Sequence, residues 1–232
     1  MASIIDSLRE VTSDRFAVLK MLIFAIPVYY SYTIFVTDKG FSSNFNFVAG
    51  LTLFFLFALL IKVTNNVINE RDHVLPSLNL LKLALTAIKG IAAIAIPTVI
   101  SCLLVNYISA QIFIIPWVDN AIKTILWLVA SSVIITSFLM FARNENILEA
   151  FNVKLLFEKA GDLILVVLFY VLQAIAINLV TTAFIGYAMY ILLGFGPVFS
   201  FFLAFALVLN ICLAGHYMGQ VHYEALGAKD ES

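Results

Sequence analysis

Six apolar blocks dominate this chain, at roughly residues 16–36, 47–68, 84–108, 121–141, 163–189 and 197–217. Each is long enough to cross a hydrocarbon core of about 30 Å as a helix, which takes about 20 residues. The cations between them are unevenly placed. Arg9, Arg15, Lys20, Lys62, Arg71, Lys82, Lys89, Arg143, Lys154, Lys159 and Lys229 fall on one side of the alternating blocks, and only Lys39 and Lys123 fall on the other. A split of 11 to 2 among 13 cations predicts six crossings with both termini on the cytoplasmic side of the cell membrane, because positive loops are retained there.

Composition supports that reading. The chain is 63% hydrophobic and 12% charged, with mean hydropathy +1.06, which leaves more apolar surface than a soluble domain of this size can bury. Six spans with short connections account for the 232 residues, so one transmembrane domain over 1–232 is expected and no separate soluble domain. Net charge is −1, which gives no reason to expect a nucleic-acid partner. Cys102 and Cys212 both sit inside apolar blocks and read as small hydrophobes, without spacing for a disulfide or a metal site. The first block is expected to stay as a span, because Asp6, Glu10 and Asp14 precede it and no small-x-small cleavage site follows.

The chain also reads as three units, about 1–72, 73–145 and 146–232, each a short amphipathic helix followed by a helical hairpin. In the first, Ile4, Ile5, Leu8 and Val11 share a face, with Ser3 and Asp6 at capping spacing. In the second, Leu78, Leu81, Leu85 and Ile88 oppose Asn79, Lys82, Thr86 and Lys89. In the third, Leu148, Phe151 and Leu155 oppose Glu145, Glu149 and Asn152. The three segments, near 3–14, 77–89 and 146–159, are expected to lie in the cytoplasmic interface with their cations toward lipid head groups. Gly90 and Gly161 then supply the bends into the next spans, while the first segment, lacking such a glycine, is expected to run more continuously into its span. The fold class is therefore all-α, with six transmembrane helices as three hairpins.

Several short cytoplasmic stretches are distinctive: Asn65-Asn66-Val67-Ile68-Asn69-Glu70, Val74-Leu75-Pro76, Lys89-Gly90, and His216-Tyr217-Met218-Gly219-Gln220 followed by Tyr223-Glu224. From residue 47 onward this pattern resembles the bacterial and archaeal membrane proteins of domain-of-unknown-function family 4013. The resemblance implies a six-helix integral membrane protein and brings no activity, because the family has none assigned.

No Asp, Glu, Lys, Arg or His falls at the centre of a block. This argues against carboxylate-coupled transport and against intramembrane proteolysis, both of which need ionisable groups at depth. No nucleophile constellation or phosphate-cradling glycine loop is present either, so no enzyme, cofactor or metal is expected. Polar residues are instead patterned. Ala174, Asn178, Thr182 and Gly186 recur every four residues, as do Ala206, Asn210 and Ala214. Such stripes suit close packing of spans five and six; alternatively Asn106, Gln173, Asn178, Thr182 and Asn210 line a polar cavity. At the cytoplasmic exits, Asn65, Asn66, Glu70, Arg71 and Asp72, together with His216, Gln220 and Glu224 on one helix face, form a candidate partner surface.

Three functions compete on this evidence. A scaffold or assembly factor organising membrane lipid, another protein or further copies of itself fits the interfacial helices and minimal loops. A permease-like or accessory transporter subunit would use the polar set in spans three, five and six. A lipid-acting enzyme has the least support.

Overall fold

In a membrane interior no water is available to backbone polar groups, so a chain of long apolar runs must satisfy them within each segment, as helices do. The computed structural model describes residues 3–14, 16–38, 40–111, 116–178, 183, 186–194 and 196–226. Its regular elements are all helical: α1 (Ile4–Ser13), α2 (Ala17–Thr37), α3 (Ser43–Ile68), α4 (Leu80–Gln111), α5 (Pro116–Asn144), a single 3-10 turn (Glu149–Phe151), α6 (Val153–Asn178), α7 (Gly186–Leu193) and α8 (Pro197–Leu226). Five helical stretches, Ala17–Thr37, Ser43–Ile68, Leu80–Gln111, Val118–Asn144 and Pro197–Glu224, are long and apolar enough to cross a membrane. The sixth expected crossing, 163–189, includes residues outside the described set and is shared between α6 and α7.

Helix α3 is the centre of the bundle. It packs against α2, α4, α5 and α8, and α8 also touches α1, α2 and α6. One core cluster joins Val11 of α1, Met21 and Phe24 of α2, Leu59 of α3 and Val208 of α8. The other joins Ile61 of α3, Leu139 and Phe141 of α5, Leu163 of α6 and Tyr217 of α8. Only 22% to 50% of the apolar window of each candidate span is buried within the chain. The remaining surface, with Leu53, Leu103, Tyr107, Leu165 and Ile191 among its exposed residues, must be covered by lipid or by other helices.

The layout of the three expected interfacial helices is corrected on two points. α4 runs unbroken through Gly90 and α6 through Gly161, so 77–89 and 146–159 are not separate helices bent at those glycines. The turn before α6 falls instead at Asn152, after the 3-10 helix. The separate helix is α1, which lacks a glycine at its junction: Phe16 makes the turn into α2 with a left-handed φ of 60°. The error over Gly90 has a packing cause. A Cβ there would collide with Ile61 and crowd Phe57 of α3 and Phe141 of α5, so the residue is glycine for closeness, not for bending. The three-unit repeat thereby loses its strongest local support.

Candidate functional site

The ends of α3, α5 and α8 and the starts of α2 and α4 meet at one end of the bundle, which we call the basic end because Lys20, Lys62, Arg71, Lys82 and Arg143 gather there. Its geometry follows from unsatisfied helix termini. The last four carbonyls of any helix lack partners within it, and here asparagines from a neighbouring helix supply them. Asn65 Nδ2 donates to Ala142 O at 2.6 Å and Arg143 O at 3.0 Å, and Asn69 Nδ2 also donates to Arg143 O at 3.0 Å. The end of α3 is closed from α8, whose Tyr223 hydroxyl lies 3.1 Å from Val67 O and 2.8 Å from Ile68 O. Thr64 Oγ1 donates to Gly215 O at 3.0 Å.

The backbones of α3 and α8 come this close because two small residues face α3. A Cβ on Gly215 would lie 2.9 Å from Leu60 O and from Val63 Cβ, and one on Gly219 would overlap Val67. This small-xxx-small spacing, 215 to 219, is the usual way to bring membrane helices into backbone contact.

The loop between α3 and α4 is folded, not a slack connector. Asn66 Nδ2 donates to Val74 O at 3.0 Å and its Oδ1 accepts from Arg71 Nη1 at 3.1 Å. Buried Asp14 accepts from the Leu75 amide, with Lys20 at 3.7 Å and His73 at 3.4 Å from its other oxygen. Lys20 also donates to Leu75 O at 3.1 Å. Lys62 pairs with Glu145, which accepts from Thr86 Oγ1 at 3.0 Å. Burial raises the value of such pairs only when both partners stay matched.

Helix α1 is held against α8 by the residues four apart that the sequence singles out. Ser3 caps α1, with Asp6 N 3.4 Å from its Oγ, and the Ser3 amide donates to Gln220 Oε1 at 2.9 Å. His216 Nδ1 is 3.0 Å from Ser7 Oγ, and its Nε2 is 2.7 Å from Glu10 Oε2. Ser7 Oγ also donates to Ser3 O at 2.9 Å, which ties the first turn of α1 to the same row.

A Ser–His–carboxylate row resembles the machinery of a hydrolase, but this one is closed to solvent. Ser7 is 0% and His216 1% exposed, so no substrate reaches the hydroxyl, and a nucleophile must be reachable. Both His216 nitrogens are also engaged, which leaves neither for a metal. Among the described residues no group of three His, Cys, Asp or Glu is placed to hold one.

Of the expected mid-span polar set, the side chains of Asn106, Gln173 and Asn210 are described. Asn106 is exposed on α4, while Gln173 on α6 and Asn210 on α8 are half-buried; none of the three lines the cavities described below. The side chain of Asn178 and all of Thr182 lie outside the described residues. Among the described residues, a Cβ on Gly186 would meet Leu203 at an ordinary 3.8 Å. Of the expected cytoplasmic surface, Asn65, Asn66, His216 and Gln220 are consumed internally, whereas Glu70, Arg71 and Asp72 remain exposed on the rim of a cavity, and Glu224 is exposed near the end of α8.

By length and composition, then, the fold is that of a helical membrane protein. No protein family, curated protein or solved structure matches the chain.

Proposed function

We propose that the protein is a six-span integral membrane scaffold of the cell membrane. Its basic end and both termini face the cytoplasm, and its work is to present a fixed surface to lipid, to a partner protein or to further copies of itself. One observation supports this most: the polar side chains of the basic end are spent on tying helix ends together, which leaves a preformed rim instead of a reactive group. The kinship with family 4013 belongs to the same proposal and adds no activity to it.

The reading is tested in two steps. Reporters active on only one side of the membrane, fused at Lys39, Asp72, Asp119, Glu149, Gly194 and Ser232, should report the cytoplasm at Asp72, Glu149 and Ser232 and the exterior at the others. The chain purified in mild detergent should then carry a stoichiometric protein partner, a second copy or selectively retained lipid by native mass spectrometry. A bare monomer without lipid preference would overturn the scaffold reading, and an exterior signal at Asp72 would overturn the orientation.

A further inference from the structure

Two cavities lie in series along the α2–α3 pair, and they differ in chemistry. The first, of about 730 Å3 at the basic end, is lined by Lys20, Lys62, Arg71 and Lys82 among others. The second, of about 510 Å3, is a groove walled by apolar side chains such as Ile23, Phe24, Leu51, Phe55, Leu78 and Leu80. Both volumes fall within the range of about 300–1,000 Å3 common for ligand sites. The two adjoin on two walls: on α2 Lys20 lines the first and Ile23 the second, and at the start of α4 Leu83 lines the first and Leu80 the second.

The four cations are not equivalent. Lys20 faces Asp14 and Lys62 faces Glu145, so these two are balanced by the protein. Arg71 donates to the neutral Asn66, and neither Arg71 nor Lys82 is paired with a carboxylate among the described residues. Two carboxylates share the rim. Glu70 lies 3.3 Å from the Tyr223 hydroxyl, and Asp72 is exposed. His73 also faces the cavity, beside Asp14.

The geometry points to a binding site for an anionic phospholipid, its phosphate between Arg71 and Lys82 and one acyl chain in the groove between α2 and α3. Charge complementarity selects the head group, since cations at a membrane interface attract anionic lipid and a guanidinium matches phosphate oxygens in a planar fork. The apolar groove selects lipid over a free anion, which would leave it unfilled. This inference rests on the membrane reading above and names the lipid that the basic end would organise.

The test uses the full chain in mild detergent with an equal mixture of phosphatidylglycerol and phosphatidylcholine, and counts retained lipid per chain by native mass spectrometry. Wild type should retain phosphatidylglycerol on the order of tenfold over phosphatidylcholine, a preference equivalent to about 1.4 kcal/mol. Arg71→Gln combined with Lys82→Gln should bring the ratio to parity. Leu51→Trp, at a position 48% exposed and so tolerant of size, should obstruct the groove and lower retention of both lipids. Inorganic phosphate should not displace the bound lipid. Parity in wild type, an unchanged ratio in the double variant, or displacement by phosphate with Leu51→Trp silent would each overturn the site. A protein mass in place of lipid would overturn it too, yet would leave the scaffold reading standing; a lipid-free monomer would remove both.

Discussion

The two ends of the bundle are held by different kinds of contact. At the basic end, hydrogen bonds join residues far apart in sequence: Ser3 with Gln220, Glu10 with His216, Asn65 with Arg143, and Tyr223 with Ile68. Toward the opposite end the described side-chain bonds stay within one hairpin: Ser31 Oγ lies 3.0 Å from Thr52 Oγ1 between α2 and α3, and others span a few residues. Ser42 caps α3 and donates to Asp38, Thr37 bonds Thr33 O, Lys123 pairs with Asp119, and Ser200 bonds Gly196 O. Phe35, Phe41 and Phe45 cluster across the α2–α3 turn, and Tyr29 of α2 meets Phe201 of α8 edge to face at 5.7 Å. These bonds define each helix, its turn and the α2–α3 hairpin, while the tie from that hairpin to α8 is an aromatic contact. The described hydrogen bonds between hairpins therefore gather at the basic end, and the opposite end is joined by apolar packing.

The comparison breaks most sharply at the α3–α8 contact. Gly219→Leu should force α8 away from Val67 and destabilise the chain by about 1 to 3 kcal/mol or more, which a thermal melt in detergent reads as a clear fall in midpoint. Gly186→Leu, where among the described residues a Cβ meets Leu203 at an ordinary 3.8 Å, should change the midpoint little. Equal effects would mean that close approach at the basic end is not what sets the bundle.

A smaller contrast concerns polar groups. Asn65→Ala strips buried carbonyls of α5 of a donor and should cost about 1 to 3 kcal/mol. Lys123→Ala removes a half-buried i,i+4 pair at the opposite end and should cost no more than about 1 kcal/mol. Chemical denaturation in the same detergent separates the two outcomes, and a larger loss for Lys123→Ala would reverse the assignment of the two ends.

How far this was legible in the sequence depends on the range of each contact. Apolar run length shows where helices lie, since a 3.6-residue repeat in lipid has few other solutions, and Ser3 announces its cap through Asp6 three residues on. The neighbouring Asn65, Asn66 and Asn69, and His216 with Gln220, stand out as polar residues at helix exits. What they bind does not, because Arg143, Val74 and α1 carry no local sign of partnership across up to 217 residues. Gly90 was ambiguous for a different reason: glycine serves both freedom and closeness, and only the neighbours Ile61, Phe57 and Phe141 decide between them. Asn106 shows a third limit. A polar residue inside an apolar run marks a place on a helix but not which way it turns, and in α4 this asparagine is exposed.

Helix α1 gives the most direct test of the locked basic end. A ten-residue helix is too short to persist alone in water, so its order must come from Gln220, His216 and its apolar face on α8. Hydrogen exchange followed by mass spectrometry on the chain in lipid nanodiscs should show residues 4–13 protected in wild type. His216→Ala, which removes the α8 partner of both Ser7 and Glu10, should accelerate that exchange severalfold while residues 43–60 of α3 stay protected. Exchange of 4–13 at free-peptide rates in wild type, or protection unchanged in His216→Ala, would contradict the account.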